Sequence, residues 1–112
     1  MPVISQSGSN GTMVSPNYPS EYDSYDEQVY QISVALGMQV NMTIDDFTTE
    51  VDADYLNIYN STLQSNSTLV ATLSGAFVAP FNYISPSNHM SLKFVSDGSL
   101  QYKGWHMYWS IC

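Results

Sequence analysis

The chain has 112 residues, of which 44% are hydrophobic and only 11% charged, which is enough apolar material for one core and one domain. Two lysines, Lys93 and Lys103, stand against 10 acidic residues, and the formal net charge of -8 argues against nucleic acid and anionic membrane as partners while favouring metal cations and basic proteins. The one cysteine, Cys112, excludes an intrachain disulfide, and no apolar run approaches the ~18 residues of a transmembrane helix, so membrane insertion is not expected.

In chain order the signals are all β. Gly11 to Val14 leads into a turn at Ser15-Pro16-Asn17-Tyr18-Pro19, and Tyr22 to Glu27 is an acidic, tyrosine-rich loop. Val29 to Val34 is a strand with Tyr30, Ile32 and Val34 on one face. Met38 to Ile44 alternates, with Met38, Val40, Met42 and Ile44 inward and Gln39, Asn41 and Thr43 outward. An acidic loop runs from Asp45 to Tyr55, followed by a strand over Tyr55 to Tyr59 and a polar turn region through Ser67. Leu69 to Leu73 is a further strand, and Ala76 to Asn88, with two prolines, is expected as a long connection. His89 to Val95 points Met90, Leu92 and Phe94 inward, and Trp105, Met107, Trp109 and Ile111 form one face of the last strand. Strand-period stripes of Met and Trp read as core. The pattern predicts an all-β, antiparallel jelly-roll β-sandwich of about eight to ten strands.

The polar residues are mostly Ser, Thr, Asn, Gln and Tyr rather than charged, a composition common in secreted and cell-surface domains, so an extracellular setting is expected; no signal peptide is visible. Cys112 reads as a strand-terminal thiol, with an interchain bridge as the alternative. Four Asn-x-Ser/Thr sequons, at Asn10, Asn41, Asn60 and Asn66, are glycan acceptors if the protein passes through a eukaryotic secretory pathway and carry no meaning otherwise. The second acidic cluster is the turn Phe94-Val95-Ser96-Asp97-Gly98-Ser99. Two acidic loops, each abutting an apolar strand, suit a hard cation that wants several oxygen ligands on a rigid scaffold. The two histidines, His89 and His106, lie by no nucleophile motif, and there is no Gly-x-Ser-x-Gly or His-Glu-x-x-His, so catalysis is not expected.

The order of several motifs resembles the CUB domain family across the whole chain. They are Gly11-x-x-x-Ser15-Pro16-Asn17-Tyr18-Pro19-x-x-Tyr22, Tyr30-x-Ile32, Phe47-x-x-Glu50, Asp54-Tyr55-Leu56-x-Ile58-Tyr59, Leu73-Ser74-Gly75, and Leu92-x-Phe94-x-Ser96-Asp97-Gly98-Ser99 followed by Lys103-Gly104-Trp105. The chain departs from the family in its cysteines: Gln28, Asp52 and Ser74 stand where cysteines are common, and the acidic loop between Glu50 and Asp54 is short. The resemblance implies an extracellular jelly roll that binds Ca²⁺ through Glu50, Asp54 and Asp97, with Tyr22 near the site. It also implies a protein ligand whose exposed Lys or Arg meets a binding edge formed by Tyr22, Glu50, Asp54 and Asp97. Asp52 is then a spare ligand and Asp46 a solvated acid. The alternative is a carbohydrate-binding or adhesin tip domain of a microbial or phage fibre, trimeric in one version, with loop tyrosines (Tyr18, Tyr22, Tyr25, Tyr83, Tyr102) stacking on sugar rings. The oligomeric state stays open.

Overall fold

The computed structural model describes residues 3–61, 65, 67–76, 80–98 and 101–112. Among them are nine strands: β1 (Val3–Ser7), β2 (Asn10–Val14), β3 (Glu27–Ser33), β4 (Val40–Thr48), β5 (Tyr55–Tyr59), β6 (Leu69–Leu73), β7 (Phe81–Ile84), β8 (His89–Val95) and β9 (Gly104–Ile111). They form two sheets, a five-stranded one ordered β1-β3-β8-β5-β6 and a four-stranded one ordered β2-β9-β4-β7. The all-β sandwich is the expected class.

Each sheet turns one set of alternate residues to the core. Ile32 of β3, Leu56 and Ile58 of β5, and Met90, Leu92 and Phe94 of β8 come from one sheet; Val40, Met42 and Ile44 of β4, and Trp105, Met107 and Trp109 of β9 come from the other. All are buried to 1% exposure or less. At about 1.5–3 kcal/mol for each large apolar side chain removed from water, this layer dominates the stability. Trp105 is its centre, edge-on to Tyr30 at 5.0 Å between ring centroids and to Phe94 at 6.4 Å. The two indole N–H groups fare differently. Trp109 donates to Gln6 Oε1 at 2.7 Å, whereas the buried Trp105 Nε1 has no hydrogen-bond partner among the described residues.

Three features depart from the expected layout. Val3–Ser7 forms an edge strand parallel to β3, the one parallel pair among the described strands. Its side chains are mostly exposed, so it lacks an alternating apolar signal. The expected connection from Ala76 to Asn88 contains β7, which pairs with β4 from Asn41↔Ile84 to Ile44↔Phe81; as an edge strand it tolerates the neighbouring prolines. Third, β4 continues to Thr48 through a bulge at Asp45, where Ile44 faces Met107 but Asp46 faces His106. The bulge shifts the inward set from Val40, Met42 and Ile44 to Phe47 and Thr49.

The turn after β2 is closed by Ser15, whose Oγ accepts the Trp105 N–H at 2.9 Å. Gly104, at φ +86°, makes this approach feasible, since a Cβ there would fall 1.8 Å from Ser15 Oγ. These contacts pin the start of β9 and with it the central Trp105. Trp105→Ala is therefore expected to lower stability by about 3–5 kcal/mol in urea titrations. Trp105→Phe is expected to cost much less, because it keeps the ring contacts and removes a buried unpaired N–H. Equal losses for the two variants would contradict this account of the core.

Candidate functional site

One end of the sandwich gathers three segments: the loop before β3, the link from β4 to β5, and the turn after β8. Each is set by an ordinary local cause. The link reverses tightly, with Asp54 N–H donating to Glu50 O at 3.0 Å and Asp52 in the left-handed region at φ 59°. Thr49, 4% exposed, bridges it, donating to Asp54 O at 3.2 Å and accepting the Gly75 N–H at 2.9 Å. Ser96, also 4% exposed, ties the turn after β8 to the first loop, donating to Asp23 O and accepting the Asp26 N–H, both at 2.7 Å.

These ties bring Glu50, Asp54 and Asp97 together. Each offers a carboxylate oxygen, and these oxygens lie within 4.8 Å of one another. Asp54 is 0% exposed. Its Oδ2 accepts the Tyr22 hydroxyl, and its Oδ1 accepts the Asp97 N–H at 2.8 Å. Each of its oxygens thus keeps a second acceptor direction. The Tyr22 hydroxyl also accepts the Glu50 N–H at 3.3 Å. Burial, followed by the Asp54 hydrogen bond, pushes the Tyr22 phenol well above its ordinary value, so it stays a donor. Glu50 and Asp97 are half-buried and form the outer part of the cluster.

The expected site residues do not all share one surface. Tyr22, at 1% exposure, lies beneath the binding edge it was expected to line, and the fully buried Asp54 lies there with it; the half-buried Glu50 and Asp97 are the outward members of the set. Asp52 is exposed and stands outside the three-carboxylate group, its N–H donating to Ser74 Oγ at 3.2 Å. Two positions where the family resemblance led to an expectation of cysteine, Asp52 and Ser74, therefore face one another. Gln28, the third, donates to Val29 O. Of the loop tyrosines, Tyr25 is 81% and Tyr102 37% exposed, Tyr22 is in the core, and Tyr83 is half-buried on β7. Tyr25 was not expected at the site. At φ 53° its N–H donates to Asp97 O at 2.9 Å, and its ring so covers Gly98 that a Cβ there would lie 2.3 Å from its hydroxyl. The Asp97-Gly98 pair was the available signal.

Asp46, expected as a solvated acid, is instead a network member, because the bulge sets Asp45 and Asp46 together on the outer face beside β9. Asp46 accepts from the Tyr18 hydroxyl at 2.6 Å and pairs with Lys103 at 2.8 Å, while His106 Nδ1 meets Asp45 at 2.6 Å. The Asp46 hydrogen bond, more than burial, pushes the Tyr18 phenol up to about 12. Burial disfavours the Asp46 charge, but hydrogen bonds from Lys103 and Tyr18 and the nearby positive charges outweigh it and hold the carboxyl below its ordinary value. The other lysine, Lys93, pairs with Glu27 at 3.0 Å, and His89 meets the Ser33 hydroxyl at 3.0 Å. Each Lys and His side chain thus has a partner outside Glu50, Asp54 and Asp97, and the chain has no arginine.

Comparison with known proteins accords with this fold. The CUB domain model matches residues 5–109, and the chain belongs to the CUB domain family. CUB domains are generally extracellular protein-interaction modules. A segment of embryonic protein UVS.2 of Xenopus laevis is 38% identical over 101 residues, covering 83% of this chain and 18% of that protein. The extracellular region of zebrafish Gpr126/Adgrg6 superposes with a TM-score of 0.84 and 25% identity, over 96% of this chain and 14% of that one. The MASP-1 CUB2 domain, crystallised bound to Ca²⁺, has the same fold, with a TM-score of 0.77 and 23% identity over 96% of both chains. The chain thus spans less than a fifth of the first two proteins.

The depressed Asp46 carboxyl fixes the sign of one pH effect. Its contribution is present above the ordinary value of 3.8 and is lost as pH falls through the lower folded value. Asp46→Asn is expected to cost about 1 kcal/mol at neutral pH, the range of a partly exposed charged hydrogen bond and ion pair. The gap between wild type and variant should close as the pH falls below about 4. Urea midpoints measured across pH check this, and a gap independent of pH would contradict it.

Proposed function

We propose that this chain is a non-catalytic extracellular module that binds one Ca²⁺ through Glu50, Asp54 and Asp97. The calcium-ordered end then receives an exposed lysine or arginine of a protein partner. The carrying observation is that three carboxylates lie within 4.8 Å of one another while both lysines and both histidines are engaged elsewhere. Such a cluster repels itself, and a cation from outside the chain relieves it. The donor set fits calcium: all three donors are hard carboxylate oxygens, carried by loops on a rigid sandwich. Calcium bound to a domain of the same fold, MASP-1 CUB2, supports the choice of metal.

The chain's own residues would divide the work. Tyr22 and the Asp97 N–H hold the Asp54 carboxylate in one orientation, so little ordering remains to be done on binding. Thr49 and Ser96 hold the loops that carry the three carboxylates. A bound divalent ion would neutralise two of the three negative charges. Glu50 and Asp97, the half-buried members, would then meet a basic side chain, with the charge of -8 steering its approach.

Calorimetric titration of metal-stripped protein should give one site with a dissociation constant on the order of 10⁻⁴–10⁻³ M, the range of extracellular modules. At ~100-fold excess over that constant, calcium should stabilise the fold by roughly 2.7 kcal/mol. Asp97→Ala should abolish the titration yet melt as the metal-free wild type does, since the Asp97 N–H to Asp54 survives the change. Tyr22→Phe should weaken calcium binding by ~10-fold or more, the worth of one hydrogen bond to a charged group. A melting temperature indifferent to calcium and chelator would sink the metal assignment.

A further inference from the structure

Two of the sequons meet on the outer face of the four-stranded sheet. Asn10-Gly11-Thr12 lies on β2 and Asn41-Met42-Thr43 on β4, the two strands that flank β9. Asn10 and Asn41 both oppose Ser110, and Thr12 and Thr43 both oppose Tyr108. Both strands run antiparallel to β9 and therefore parallel to each other. The sequons are thus copies displaced sideways by two strand spacings, about 10 Å.

The middle residues turn the other way. Met42 is buried, and a Cβ on Gly11 would lie 2.6 Å from Trp109 Nε1 and 2.4 Å from Gln6 Oε1. What faces out is therefore asparagine and threonine on either side of Ser110 and Tyr108. Tyr108 is 48% exposed, a large aromatic ring in the middle of a polar sheet face. Amid hydroxyls and amides, it offers a flat apolar surface of the kind on which a sugar ring packs through its C–H face. Asn41 uses its Oδ1 to accept from Asn82 at 2.7 Å, so its amide nitrogen is the end not given to that bond. Asn60 is placed differently, at the end of β5, with its N–H bound to Thr68 O and its carbonyl to the Ser87 hydroxyl. Asn66 lies outside the described residues.

We infer that Asn10 and Asn41 carry N-linked oligosaccharides and that Tyr108 seats their first sugar. The inference rests on the extracellular reading above, since it needs passage through a secretory pathway. In the transfer, the asparagine Nδ2 bonds to the anomeric carbon of an oligosaccharide carried on a polyprenyl diphosphate. The bond from that carbon to the diphosphate oxygen breaks, the polyprenyl diphosphate leaves, and a base of the transferase takes the amide proton. Because β4 is a central strand, Asn41 is modified before the sheet closes. The finished face is covered by glycan, which leaves partner docking to the end that carries Glu50 and Asp97.

The test is secretion of the chain from cultured animal cells behind a cleavable leader, with peptide mapping by mass spectrometry before and after enzymatic release of N-glycans. Both Asn10 and Asn41 should be occupied. Thr12→Ala and Thr43→Ala should each remove one glycan, and Asn41→Gln should repeat the Thr43→Ala result by a different change. In folded protein, Tyr108→Ser should leave occupancy intact but speed enzymatic release several-fold. Folded, secreted protein with both asparagines bare overturns the inference while leaving calcium binding untouched. Release rates unchanged in Tyr108→Ser overturn the seat. Glycosylated protein that fails to bind calcium overturns the calcium part of the proposed function alone.

Discussion

The Asp54 carboxylate is the constraint around which one end of this sandwich is organised. A fully buried carboxylate costs several kcal/mol unless hydrogen bonds or opposite charge replace the water it has lost. Here a phenol from the first loop and a backbone N–H from the last turn supply two hydrogen bonds. Three segments far apart in sequence must meet for that to happen. Thr49, Ser96 and the left-handed Tyr25 and Asp52 are details of how they do. Two hydrogen bonds do not cancel the charge, and Glu50 and Asp97 add two more carboxylates nearby. The fold thus brings three carboxylates together at this end, while both lysines and both histidines have partners outside that group.

That assignment gives the molecule two acidic regions with different chemistry. On the outer face of β4 and β9, Asp45 and Asp46 are matched by His106 and Lys103, and Tyr18 closes the group. It acts as a clamp between the first turn and the sheet. At the end of the sandwich the Asp54 carboxylate is held by a phenol and a backbone N–H, with Glu50 and Asp97 beside it. The same residue type is ion-paired in one place and held by a phenol and a backbone N–H in the other.

Much of the architecture was legible in the sequence, since period-2 alternation in β4, β8 and β9 reports directly which side chains are buried. The continuation of β4 past Ile44 was not expected, because the bulge changes the inward spacing from Ile44 to Phe47 to three residues and breaks the alternation. β1 was not legible, since its mostly exposed side chains leave no inward stripe, and β7 has a stripe of only two residues, Phe81 and Tyr83, between prolines. The three carboxylates were placed by their motifs. Their depth was not, because burial of Asp54 and Tyr22 depends on packing between distant segments. The contrast between Trp105 and Trp109 was likewise hidden, since the partner of Trp109 is Gln6 on an edge strand that leaves no pattern.

We propose that the end carrying Asp54, and not the Asp45–Asp46 face, takes the cation. Calcium titration of isotope-labelled protein, followed through its backbone amide resonances, distinguishes the two. The account predicts saturable shifts concentrated at Glu50, Asp54 and Asp97, with the Asp97 amide prominent because it donates to the Asp54 carboxylate. Shifts centred on Asp45, Asp46 and His106, or none at millimolar calcium, would contradict it.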